Sequence, residues 1–256
     1  MFSCDKLDDN NDLFSDWSDD LKAGQIEIKA YPGQDSVITF DANVQMITID
    51  WGEGSIESFT SNGGLTFFEH KYSNKELRTI RVITENMSLF RCFYAPSFFQ
   101  ELRFGNCTEL KEIYCGYNQL SVLDVSKCTA LTHLSCYSNQ LPVLDVSKNV
   151  ALKFLYCSNN RLTELDVSNC SELKEIYCNN NHLFALDVSG CIELERIHCD
   201  SNHLSASALN SLFTNLPVIL PLGVGLIGFG IIYCSENQGY STSDKSIATE
   251  KRWQFY

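Results

Sequence analysis

Positive charge is scarce in this chain: 19 Lys and Arg stand against 32 Asp and Glu in 256 residues, a net charge of −13. Nucleic acid and anionic membrane surfaces are disfavoured as partners, because both are bound through dense cationic patches and none occurs here. Catalytic signatures are missing too. There is no nucleophile elbow, phosphate-binding loop or His-Glu-x-x-His pair, and the histidines His70, His133, His182, His198 and His203 are scattered. Neither an enzyme nor a cofactor is expected. Twelve cysteines are present without one Cys-x-x-Cys, which removes the close ligand pairs of a structural zinc site. Long apolar runs are also wanting. Residues 218–234 are uncharged, but Pro221 and Gly223, Gly225, Gly228 and Gly230 make a poor helix, so a loop and strand is expected there, not a membrane span. The letters Gly223-x-Gly225-x-x-Gly228 satisfy a dinucleotide fingerprint, yet they lead into a strand-like run and not into a phosphate-binding helix.

What the chain does have is a period. From Leu110 to Thr214 a 21-residue unit recurs five times, reading Leu-x-x-(Leu/Ile)-x-Cys-x-x-Asn-x-Leu from Leu110, Leu131, Leu152, Leu173 and Leu194. The first four units close with Leu-Asp-Val-Ser. Such a period, with short apolar runs and no helical spacing, suits one solenoid turn per unit. It resembles the leucine-rich repeat family, in a form common among bacterial surface proteins. The fold implied is mostly β: a solenoid with a parallel sheet on its concave face.

Extending the register adds coils on both sides. Residues 89–109 read as an amino-terminal capping coil lacking the repeat Cys and Asn, and Ile232-Tyr233-Cys234-Ser235-Glu236-Asn237 resumes the pattern after an insertion. Ser205 is a plausible N-cap for a helix over 206–214 ended by Pro217; Ser243 or Asp244 could start a second through Lys251, before a last strand over 253–256. The solenoid is thus assigned to 89–256, with repeats over 110–214 and a carboxy-terminal cap over 215–256.

The recurrent Asn118, Asn139, Asn160, Asn181 and Asn202 are expected to form a structural ladder, since an amide can satisfy backbone donors and acceptors of its own turn and the next coil. Asp124, Asp145, Asp166 and Asp187 read as a solvated or turn-bonding row, with calcium as the alternative. Cys115, Cys136, Cys157, Cys178, Cys199 and Cys234 fall in one ladder, and Cys107, Cys128, Cys170 and Cys191 in a second. Buried packing thiols are the primary reading, with disulfides open in an oxidising compartment.

Ahead of the repeats lie two further regions. Residues 1–24 carry seven aspartates against Lys6 and Lys22 and read as an acidic flexible segment. Ser3-Cys4 resembles the end of a bacterial lipoprotein signal, so Cys4 is a candidate lipid anchor and the only route to a membrane; an ordinary acidic tail is the alternative. Over 25–88, alternating runs separated by turns read as a small Ig-like β-sandwich. Trp51-Gly52-Glu53-Gly54, His70-Lys71-Tyr72 and the strand from Arg78 resemble the polycystic-kidney-disease (PKD) signature, with Glu53 where Asp is usual.

Places 3 and 5 of each repeat strand point outward, with places 7 and 8 on the same rim. They nominate Glu112, Tyr114, Tyr117, His133, Tyr137, Phe154, Tyr156, Glu175, Tyr177, Arg196 and His198 as partner-binding residues, because a rigid row of rings offers contact area at low entropic cost. The alternative is that stacked rings merely stabilise adjacent strands. Seven ladder strands would span about 29 Å, enough for about eight or nine extended residues. The expected protein is a monomeric, extracytoplasmic recognition or adhesion module for a protein, peptide or glycan. A structural or spacer module is the runner-up.

Overall fold

The computed structural model describes residues 4–6, 21–33, 36–92, 98–220 and 228–256. They fall into two compact units, Met1–Leu131 and Thr132–Tyr256.

The first unit contains strands β1 (Cys4–Lys6), β2 (Gln25–Tyr31), β3 (Val37–Asn43), β4 (Met46–Asp50), β5 (Ile56–Thr60) and β6 (Leu65–Lys71). It continues through β7 (Arg78–Glu85), β8 (Leu89–Arg91), β9 (Phe98–Phe104), β10 (Glu112–Tyr114) and β11 (Val122–Asp124). One sheet runs β1-β5-β4-β7-β2-β9-β11. The other joins β6 to β3 and β3 to β8 antiparallel, and β8 to β10 parallel. Alternation explains the facing: Ile26, Ile28 and Ala30 of β2 are fully buried, as are Ile80 and Val82 of β7, while the residues between them are not. Rings close the space between the sheets, with Phe59 edge-on to Phe68 at 5.3 Å and Phe90 edge-on to Phe104 at 5.4 Å. Trp51 is wholly buried and stacks on His70 at 5.0 Å, and its carbonyl accepts the Tyr72 hydroxyl at 2.8 Å. Gly24 enters β2 at φ +71, where a Cβ would lie 2.2 Å from the Thr84 carbonyl oxygen.

Three sequence expectations change here. Cys4–Lys6 pairs as a strand on the β5 edge, with Cys4 opposite Phe59, where the sequence leads to no strand. The first coil is displaced by two residues. Glu112 pairs with Leu89 and Tyr114 with Arg91, so Cys92 takes the cysteine place and Met87 and Phe90 the apolar ones, all three buried. A 21-residue rule misses this because the offset between the two strands is 23 residues. Finally, β9 pairs with β2 and β8 with β3, so strands on both sides of the expected 88/89 boundary share sheets.

The second unit is a parallel ladder: β12 (His133–Ser135), β13 (Phe154–Tyr156), β14 (Glu175–Tyr177), β15 (Arg196–His198), β16 (Gly230–Tyr233) and β17 (Trp253–Phe255). Beneath it, Leu152, Leu155, Cys157, Leu162 and Val167 are fully buried, and the next coil repeats them as Leu173, Ile176, Cys178, Leu183 and Val188. No coil closes its own core; each apolar set is covered by its neighbours, which is why the units stack. Helix α1 (Ala206–Asn215) begins where Ser205 accepts the Ala208 N–H, as the sequence implies. The second helix is shorter than expected: a 3-10 turn over Tyr240–Thr242 precedes α2 (Ser246–Thr249), and Asp244 accepts the Ser246 N–H. Much of the glycine-rich motif, residues 221–227, lies outside the described residues. Among the described residues no helix is long and apolar enough to cross a membrane.

Candidate functional site

The turn after each strand sets how the outward residues are presented. Asn159, Asn180 and Ser201 occupy the left-handed region at φ +55, +54 and +51, a conformation costing roughly 1–2 kcal/mol for a residue with a side chain. The following asparagine offsets this. Asn181 donates to the carbonyls of Cys157, Cys178 and Asn179 at 3.1, 3.0 and 3.4 Å, and its Oδ1 accepts the Leu162 N–H at 3.0 Å. Asn160 and Asn202 repeat the arrangement one coil to either side, and Asn118 and Asn237 make it at more distant turns. The strand ends are thereby fixed, and so is the spacing of the side chains they carry.

On the outer face of the second unit, rings form two rows. In place 3, His133 stacks on Phe154 at 4.6 Å. In place 5, Tyr156 meets Tyr177 edge-on at 4.9 Å, Tyr177 meets His198 at 4.0 Å, and His198 stacks on Tyr233 at 4.0 Å. Tyr256, which the sequence reading does not nominate, extends the row by stacking on Tyr233 at 5.6 Å. Charges are paired among the rings. Arg196 donates to Glu175 at 3.1 Å, and Glu175 also accepts the Tyr156 hydroxyl at 3.2 Å. Burial, with Glu175 beside it, pushes the Tyr156 phenol up to about 12. Burial, with Arg196 adding to it, holds His198 below the usual histidine range, so its ring faces the tyrosines neutral. Tyr137 sits half-buried on the rim.

In the first unit, Tyr114 and Glu112 share β10, the hydroxyl donating to the carboxylate at 2.9 Å. Tyr117, 50% exposed, occupies the next turn at φ +54. Register then carries the same face onto strands that the repeat pattern does not reach. Tyr114 is followed across the sheet by Arg91, Asp41 and Phe67, and Glu112 by Leu89, Asn43 and Leu65. Arg91 binds Asp41 at 2.8 Å. Such neighbours come from antiparallel pairing across large sequence separations, which no repeat period encodes.

The other expected rows are structural in their geometry. Asp145, Asp166 and Asp187 each accept the N–H of the serine two residues on, at 2.9 Å. Among the described residues no group of three His, Cys, Asp or Glu is arranged to hold a metal ion. The eleven cysteines from Cys92 to Cys234 are buried free thiols. Burial raises the thiol pKa wherever a shift is resolved, that of Cys107 to about 11 and that of Cys191 to about 12.

A family model described as "Leucine Rich repeats (2 copies)" matches residues 150–190. No curated protein matches the chain. Among solved structures, the functional domain of InlJ from Listeria monocytogenes, described as including a cysteine ladder, is 29% identical, with a TM-score of 0.37 over 56% of this chain and 38% of that one. An internalin (inlF) from Listeria monocytogenes is 24% identical, with a TM-score of 0.45 over 59% of this chain and 48% of that one. The chain thus spans less than half the length of either. The family match falls on the coils that carry β13 and β14, and the chain is one that carries leucine-rich repeats.

Proposed function

We propose that this is a non-enzymatic, extracytoplasmic recognition or adhesion protein that takes a protein, peptide or glycan on the outer face of its repeat strands. The observation that carries the reading is the row Tyr156, Tyr177, His198, Tyr233 and Tyr256, held at ring separations of 4.0 to 5.6 Å on a rigid ladder. Pre-stacked rings lose little freedom on contact, so the area they cover is converted to affinity at low entropic cost. Arg196 and Glu175 supply the polar handles beside them. Residues 25–88, whose sheets also take in β8 and β9, would form a PKD-like presenting platform together with those strands, and Cys4 is where a lipid anchor would be attached.

One observation favours a spacer role instead: the rings already satisfy one another, as strand-stabilising neighbours would. An array of glycans and extracellular proteins, probed with the wild type and with a Tyr156→Ala, Tyr177→Ala double variant, separates the two. Recognition predicts at least one ligand lost by the variant at unchanged melting temperature. Identical array profiles would refute it and leave the spacer.

A further inference from the structure

We infer that β6 is a self-association edge, at which a second copy of this chain pairs antiparallel through its own β6. The inference is independent of what the repeat face binds. β6 is the last strand on its side of the sheet among the described residues, and its seven residues pair only with β3. Residues in an antiparallel strand direct both backbone polar groups to alternate sides. The Tyr72 N–H donates to the Ser36 carbonyl at 2.7 Å, and the register continues as His70 with Ile38, Phe68 with Phe40 and Thr66 with Ala42. By that alternation Leu65, Phe67, Glu69 and Lys71 turn their N–H and C=O groups away from β3, toward the open edge. Their side chains are the exposed ones of the strand: Leu65 is 48% and Phe67 61% accessible.

An edge of this kind, long and carrying exposed apolar side chains, is a template for another strand. The other sheet shows the usual remedy, for β1 covers the edge of β5. β6 has no such cover among the described residues.

The strand is complementary to itself. With a two-fold axis at Phe68, all four outward residues find partners: Leu65 faces Lys71 of the second copy and Phe67 faces Glu69 of the second copy, and each relation is returned by symmetry. No like charges stand opposite, and the stems of Lys71 and Glu69 lie over the exposed Leu65 and Phe67. A shift of one step, to an axis at Glu69, would set the two Glu69 carboxylates against each other. The net charge of −13 opposes association at low salt but is screened within about 8 Å at physiological ionic strength.

Sedimentation equilibrium of the full chain in physiological salt, between about 5 and 200 µM, tests this, since a self-pairing edge makes the mass depend on concentration. The wild type should rise from 28.9 kDa toward twice that mass. Phe67→Pro removes one outward N–H and the ring without touching a bond to β3, a substitution that edge strands tolerate. Phe67→Glu sets like charges opposite Glu69 and carries the test if the proline variant does not fold. Both should weaken association at least tenfold, with circular dichroism unchanged. A wild type that stays at 28.9 kDa throughout overturns the inference. So does a dimer that both variants leave intact, because its contact would lie elsewhere.

Discussion

Replacing Asn181 by Ala probes the asparagine ladder at a position where the loss can be worked out bond by bond. The side chain is 4% exposed and makes four hydrogen bonds. They are not equal. The Cys157 carbonyl also accepts from Asn160, and the Cys178 carbonyl from Asn202, so each keeps a partner after the substitution. The Leu162 N–H has its side-chain acceptor in Asn181 at 3.0 Å and loses it outright. An unsatisfied buried donor costs about 1–3 kcal/mol, and the vacated amide adds a small cavity, for a loss of about 2–4 kcal/mol. In a chain of this length that lowers the melting temperature by about 5–15 °C, measurable by circular dichroism.

Asn181→Asp sharpens the test. Its carboxylate could still accept from Leu162, but its other oxygen would confront the Cys157 and Cys178 carbonyls. That repulsion, with burial, raises the folded pKa above the unfolded value of about 4. The penalty is therefore absent at pH below that value and grows as pH rises through and beyond it. The Asp variant should regain stability relative to wild type on acidification; the Ala variant should not. A loss below about 0.5 kcal/mol for Asn181→Ala, within the range of ordinary surface substitutions, would refute the structural role of the ladder.

Other outcomes follow from the same geometry. The eleven cysteines from Cys92 to Cys234, all buried and with a raised thiol pKa where a shift is resolved, should resist Ellman's reagent in the native state and react on unfolding; rapid native reaction of several would contradict the buried ladders. Gly230→Ala should destabilise by about 1–3 kcal/mol in urea melts, because its Cβ would lie 2.5 Å from the Trp253 ring. His198 has its folded pKa held below the unfolded value, so the native state disfavours its charged form. Its contribution is complete above the unfolded pKa of about 6.5 and is lost as pH falls below it. His198→Phe should therefore flatten the fall in stability as pH drops below about 6.5, and an unchanged pH profile would argue against a neutral ring clamped between Tyr177 and Tyr233.

Much of this molecule is legible in its sequence because repetition turns one local rule into many residues. A period of 21 assigns Leu155, Cys157 and Leu162 to the core, Asn160 to the turn and Tyr156 to the outer face, and the same letters serve each later coil. Helix α1 announces itself through Ser205 and Pro217. Legibility ends where pairing becomes non-local or the period slips. Cys92 escapes notice because 23 residues separate Leu89 from Glu112. The outer-face neighbours Arg91, Asp41 and Phe67 are brought to Tyr114 by strand order, which alternation in β3 and β6 cannot disclose. Tyr256 joins the ring row only because β17 adds to β16 after an offset that matches no repeat.

The most direct measurement is a side-chain footprint by carbene labelling and mass spectrometry, with and without a ligand taken from the array. Protection is expected to centre on Tyr156, Tyr177, His198 and Tyr233, with the turn row of Asp145, Asp166 and Asp187 labelled as in the free protein. Protection of that aspartate row, with the rings fully labelled, would contradict it.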